Sequence, residues 1–244
     1  MKDFLQDLIQ NTYSLGVVEL VKITGSDQLT KVDAIAEDRS VIISGTYKNP
    51  VVEMIGLFGM PNLGKLKTIL GFSDEYDENA SINFITETRD NVDVPTTIHF
   101  ETKNKDFIND YRLMSKELVE NKVQNITFKG ATWNVEFEPT VASIQRLKKQ
   151  AMSNSEETTF TTKVDNGSLK IYFGDPSTHS GNFVFHAGLK GTMTKALHWP
   201  VKVFLSIMDL PGEKTVKISE QGATEITVDT GLAIYSYIIP AMAK

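Results

Sequence analysis

The chain has 244 residues, 31 Asp and Glu against 25 Lys and Arg, a formal net charge of −6, and no cysteine. This excludes disulfides, thiolate catalysis and cysteine-ligated metals, and it speaks against a surface coated in phosphate-binding lysines. A hydrophobic fraction of 41% suits one large domain or two ordinary ones, and no stretch approaches the roughly 20 apolar residues of a membrane span.

In chain order, KDFLQDLIQNT predicts an amphipathic helix with Phe4, Leu5, Leu8 and Ile9 on one side. Its Asp3 and Asp7 stand where a secretion signal would have an apolar core, so a cytoplasmic location is expected. GVVELVKIT, KVDAIAE and RSVIISGTYK read as strands because β-branched residues are dense. VVEMIGLFGM reads as a buried strand. PNLGKLKTILGF reads as a short helix with Pro61 near its first turn and Gly71 after its last. FSDEYDEN is an acidic turn, and ASINFITETRD with PTTIHFETK makes a hairpin. DYRLMSKELVENK reads as a strand end running into an exposed linker.

The order then restarts. VASIQRLKKQAMSN spaces Val141, Ile144, Leu147 and Ala151 along one helical face. TTFTTKVDNGSLKIYFGD is a hairpin whose turn signal is Asp165-Asn166-Gly167. NFVFHAGLKG is a strand, HWPVKVFLSIMD a short helix with Pro200 near its start, and KTVKISE, TEITVDTG and LAIYSYIIPA are closing strands. Helices starting near Lys2 and Asn62, then near Pro139 and Trp199, are each about 60 residues apart. The chain thus reads as α+β, with two similar domains (1–115 and 131–244) joined by a linker at 116–130. Each domain carries two short helices on antiparallel sheets.

Chemical motifs are weak. Gly59 to Lys65 satisfies G-x-x-x-x-G-K, but Leu66 stands where a phosphate-binding loop needs Ser or Thr for magnesium. His99, His179, His186 and His198 show no H-x-x-x-H spacing. The acids Asp74, Glu75, Asp77 and Glu78 lack calcium-loop spacing. Asp175, Ser177 and His179 lie in GDPSTHSG without a nucleophile elbow. Nothing here requires an enzyme, a metal or a cofactor.

Charge placement says more. Arg146, Lys148 and Lys149 crowd one helix that has no acid. PNLGKLKTIL carries Lys65 and Lys67, and TKALHWPVKVFLSIMD carries Lys195 and Lys202 with one acid at its end. Three of four expected helices are locally cationic in an acidic chain. Side by side they would form a lining that attracts phosphates without reading sequence.

The run MIGLFGMPNLGKLKTILGFSDEYDENASINFITETRD, the later TTIHFETKNKDFINDYRLMSKEL and the ending GATEITVDTGLAIYSYIIPAM resemble DNA sliding clamps. Two domains rather than three are similar to the ring-forming trimers of proliferating cell nuclear antigen and of T-even-type phage clamps. The resemblance implies a homotrimeric ring around double-stranded DNA, with helices inside and sheets outside. It implies a non-enzymatic processivity factor for a DNA polymerase, placed by a clamp loader and acting in the cytoplasm, the host's if phage-encoded. It places Lys65, Lys67, Arg146, Lys148, Lys149 and Lys202 on or near the pore. Arg146 and Lys148 are roughly 200° apart on a helical wheel, so Arg146 with Lys149 is the better same-face pair. It places Ile35, Ile42, Val123, Tyr237 and Pro240 in a partner groove able to bury a peptide's apolar anchors. One departure stands out. The first helix carries only Lys2, where many clamps are lysine-rich. Two other readings remain open: a phage tail or baseplate assembly protein, and an enzyme using the GMPNLGKL loop.

Overall fold

The computed structural model describes residues 1–72, 74–77, 79–89, 92–123 and 128–243. Contacts divide the chain into two units, Met1–Thr127 with Thr230–Tyr235, and Phe128–Asp229 with Ser236–Lys244. Residues 124–127 of the expected linker and Glu78 of the acidic turn lie outside the described residues.

In unit 1, helix α1 (Lys2–Asn11) buries Leu5, Leu8 and Ile9, the i, i+3, i+4 stripe its sequence carries. Strands β1 (Leu20–Gly25), β2 (Thr30–Ile35), β3 (Ile42–Tyr47) and β4 (Gly56–Pro61) are antiparallel in the order β3–β2–β1–β4. The strand expected from Val51 onward is shorter, because residues 52–54 turn once as a 3-10 helix before β4 begins. Helix α2 (Leu63–Leu70) buries Leu63, Leu66, Ile69 and Leu70, and the Gly71 N–H closes it on the Lys67 and Thr68 carbonyls at 3.0 and 3.1 Å. Pro61 ends β4 rather than starting this helix; Asn62 makes the bend with φ 54°. Strands β5 (Ser81–Arg89), β6 (Val92–Glu101) and β7 (Ile108–Arg112) form a separate antiparallel sheet with β5 and β7 at its edges.

The segment expected to be an exposed linker instead opens with helix α3 (Lys116–Lys122). Its one apolar anchor is Val119, fully buried. Gly59 of β4 makes the room: a Cβ there would meet Val119 Cγ2 at 2.8 Å. A seven-residue helix is marginal alone, so this docking holds it.

Unit 2 holds β8 (Val135–Phe137), α4 (Val141–Ser153), β9 (Thr159–Asp165), β10 (Ser168–Gly174) and β11 (Ser180–Ala187). The short β12 (Lys190–Gly191), β13 (Leu197–Pro200), α5 (Val201–Met208), β14 (Glu213–Ser219) and β15 (Ala223–Asp229) follow. Strand β16 (Ala233–Pro240) belongs to unit 1 through Tyr235 and to unit 2 from Ser236. One sheet runs β11–β10–β9–β13, and β12, β8, β14 and β15 neighbour one another in a second. The β9–β10 hairpin turns at Asn166 and Gly167, with φ 48° and 70°, the left-handed pair a two-residue turn demands. The helix expected from His198 starts only after Pro200, because 197–200 pair with β9 and Trp199 is fully buried, its Nε1–H donating to Thr162 Oγ1 at 2.8 Å.

Each unit thus sets two helices against one another, α1 with α2 and α4 with α5. Among the described residues, no helix is long and apolar enough to cross a membrane.

Candidate nucleic-acid interface and partner groove

The cationic residues sit on helices whose apolar faces are committed to the core. Helix α4 starts at an N-cap, Thr140, whose side chain accepts the Ser143 N–H at 3.1 Å. Burial of Ser143, Leu147 and Ala151 fixes its inner face. At 100° per residue the opposite face carries Ala142, Gln145, Lys149 and Met152, with Arg146 on one flank and Lys148 on the other. Arg146 and Lys149 are exposed. Lys148 is half-buried and its Nζ pairs with Asp209 Oδ1 at the end of α5. Sequence reading put Lys148 among the pore cations; its charge is matched by a carboxylate 61 positions away in the chain.

On α5, Lys202 is exposed near the first turn. Lys214 closes the other end, its Nζ donating to the carbonyls of Leu210 and, at 3.1 Å, Gly212. Burial holds its pKa below the ordinary lysine value, partly offset by Asp209. On α2, Lys65 and Lys67 are exposed, and Lys67 Nζ lies 5.5 Å from the centroid of the Tyr13 ring. The same Tyr13 packs on Gly64, where a Cβ would fall 2.8 Å from its hydroxyl. Helix α1 is different. Its exposed residues are Asp3, Gln6 and Gln10, and Lys2 Nζ is spent on the Tyr76 carbonyl at 2.6 Å.

The run from Gly59 to Lys65 is no phosphate-binding loop. Gly59 lies inside β4, which pairs antiparallel with β1, and Lys65 lies inside α2. A phosphate cradle needs a free glycine-rich loop between a parallel strand and its helix.

Unit 1 contains a cleft of about 740 Å³. Val18 and Val123, 2% and 5% exposed, form its floor. Leu20, Ile35, Pro61 and Met114 are half-buried along its walls. Glu19, Glu37, Asp38 and Lys122 are exposed at its mouth. The structure brings together Ile35 and Val123 of the groove expected from sequence. Ile42 pairs with Ile35 across β2 and β3 but is not part of the lining. Tyr237, in unit 2, is fully buried and offers no side-chain surface; Pro240 is exposed. The three carboxylates escaped the sequence reading because Glu19 interrupts a strand-like run and Glu37 and Asp38 look like an ordinary turn.

No family model matches the sequence, and no curated protein matches it. Solved structures do. The proliferating cell nuclear antigen (PCNA) of A. fulgidus, bound to the C-terminal region of FEN-1, superposes with a TM-score of 0.72 at 10% identity, covering 100% of this chain and 96% of that one. The chain has the PCNA sliding-clamp fold. PCNA of Thermococcus kodakaraensis gives 0.70 at 10% identity, over 98% and 97% of the two chains. PCNA of Entamoeba histolytica gives 0.66 at 13%, over 99% and 94%. The likeness therefore spans both units, and it does not favour the tail or baseplate alternative.

Proposed function

We propose that this protein is a sliding clamp, a non-enzymatic ring that encircles duplex DNA and tethers a replicative polymerase. The observation that carries the reading is the clamp fold over the full chain, joined to exposed cations on α2, α4 and α5 in a chain of net charge −6. Lys65, Lys67, Arg146, Lys149 and Lys202 are the proposed phosphate contacts. Such contacts are sequence-independent and individually weak, which suits sliding. The acidic remainder keeps DNA off the outer surface. The strand edges at β7 in unit 1 and β11 in unit 2 are where neighbouring protomers would pair in a homotrimer. The cleft of Ile35 and Val123 is the proposed seat for apolar anchors of polymerase and loader tails, in keeping with a FEN-1 terminus bound by a PCNA of the same fold.

Light scattering after size exclusion, across a wide dilution range, tests the assembly. The expected mass is that of three 27.2 kDa protomers. Retention on circular but not linear DNA after loading is the second arm. A monomer at every concentration overturns the reading.

A further inference from the structure

The two units repeat one order of elements, and a place filled in unit 2 is open in unit 1. In unit 2, β8 pairs antiparallel with β14, Val135 opposite Ile218 and Phe137 opposite Val216. Val135 and Phe137 are buried and Glu136 between them is exposed, while Val216 and Ile218 are only 0% and 1% exposed. The Asn134 N–H extends this pairing by donating to the Ile218 carbonyl at 2.9 Å. In unit 1 the strand that follows the second helix is β5, the counterpart of β14. One side of β5 pairs with β6, and among the described residues no strand pairs with its outer edge. Phe84 meets the Phe58 ring at 6.0 Å, yet Phe84 and Ile82 remain only half-buried. Beside this edge lies a cavity of about 610 Å³, lined by Asp77, Ala80 and Ile82 and by Lys2, Asp3 and Gln6 of α1. The run 81–85 has neither charge nor proline, and a bulge follows it between Ile85 and Thr86. An edge strand without charge, proline or cover is a template for another chain. The rim of the cavity is acidic. Asp3 and Asp77 are exposed, as are Asp74 and Glu75 in the same turn, whereas Lys2 Nζ is spent on the Tyr76 carbonyl. Two copies of this edge would bring like charges together, and a basic segment would be drawn to it.

We infer that the outer edge of β5 takes an extended segment of a partner protein as an added strand, in the place that β8 occupies in unit 2. The chemistry of that segment follows from β8 and from the rim. It carries apolar side chains at alternate positions, to cover Ile82 and Phe84, and lysine or arginine at its ends, to meet Asp3 and Asp77. Main-chain hydrogen bonds along 81–85 supply the affinity, and the alternate side chains supply the selection. The bulge ends the regular register, so about five residues suffice. This seat is separate from the cleft of Ile35 and Val123, and it requires neither a ring nor DNA.

The test uses the full chain and a fluorescein-labelled synthetic peptide of alternating valine and threonine with a lysine at each end. Its control is the same peptide methylated on its backbone nitrogens, which keeps the side chains and removes the strand hydrogen bonds. Affinity is read by anisotropy, and the site by amide hydrogen exchange. At ten times its Kd the unmodified peptide should slow exchange of the outward amides of 81–85 about tenfold. It should leave β14 unchanged, because β8 already occupies that edge. The methylated peptide should not bind. The double variant Asp3→Asn with Asp77→Asn, checked for folding by thermal unfolding, should weaken binding about fivefold at low salt. Equal binding of the methylated peptide, or no protection of 81–85, overturns the added strand. Protection of 81–85 that rises with protein concentration without peptide shows a second copy at the edge and overturns the partner reading. An affinity untouched in the double variant overturns the preference for a basic segment.

Discussion

The ring of Tyr235 packs against Gly45 so closely that a Cβ at position 45 would stand 2.5 Å from Cε1. Tyr235 is fully buried and its hydroxyl donates to Asp7 Oδ2 at 2.9 Å, on helix α1. One side chain thus ties strand β16 to β3 and to α1 within unit 1. Gly45→Ala should destabilise unit 1 by about 1–3 kcal/mol, because the ring has no room to retreat. Tyr235→Phe should cost about 1.5–3 kcal/mol, because the lost hydrogen bond is to a partly buried carboxylate. Urea unfolding monitored by tyrosine and tryptophan fluorescence checks both, and an unchanged midpoint for Gly45→Ala would show that the Tyr235 ring can yield to a methyl group.

The pairing of Lys148 with Asp209 attenuates the proposed DNA surface. Removing the carboxylate by Asp209→Asn should free one cation and steepen the slope of log affinity against log salt by about 0.9 for short duplex DNA. Lys148→Ala should cancel that gain. If Asp209→Asn leaves the slope unchanged, Lys148 does not reach phosphate even when released.

Arg146 and Lys149 are both exposed on α4, so replacing them should not unfold the protein; surface changes of this kind usually stay within about 0.5 kcal/mol. The double variant to Ala should lower the salt slope by roughly 1.8, two contacts' worth. The double variant to Glu should abolish retention on circular DNA. An unchanged slope in the Ala variant, or normal retention in the Glu variant, would remove α4 from the proposed pore.

His99 on β6 sits between two carboxylates, Nδ1 at 2.7 Å from Asp110 Oδ1 and Nε2 at 3.4 Å from Glu101 Oε2, with Lys105 3.3 Å from the other Glu101 oxygen. The bond to Asp110 is the largest cause raising its pKa above the ordinary 6.5, with burial opposing and Glu101 assisting. A raised folded-state pKa gives stability that is fully present below about pH 6.5 and is lost as pH rises through the folded value. NMR titration of the imidazole should therefore show a value above 6.5 that falls in Asp110→Asn. Because Asp110 lies on the edge strand β7, where the proposed homotrimer would pair, the solution mass should be measured on both sides of that titration.

Where the sequence announces structure, it does so through local physics. The Leu147 and Ala151 spacing marks the inner face of α4, and Asp165-Asn166-Gly167 marks the β9–β10 turn, because each depends on neighbours a few residues away. Helix α3 was illegible because a polar segment with one apolar anchor looks like a linker until Gly59 supplies the facing hole. The neutralisation of Lys148 was illegible for the same reason, since Asp209 reaches it only through the packing of α5 on α4. Tyr237 shows the converse: an aromatic beside a proline suggests a binding surface, but full burial makes it core. The acidic mouth of the cleft needs the Glu19 segment and the β2–β3 turn brought together, which no single stretch displays.

Unit 1 is completed by Thr230–Tyr235, synthesised about a hundred residues after the rest of it. At about 5–20 residues per second, a ribosome would therefore leave the first unit unfinished for several seconds or more. During that wait Gly45 lacks its covering ring and Asp7 its tyrosine, while most of unit 2 is being made. The protein cannot mature strictly from front to back. Its last strand acts as the clasp, and any lesion that stops translation before Tyr235 leaves the first unit open rather than merely shortening the second.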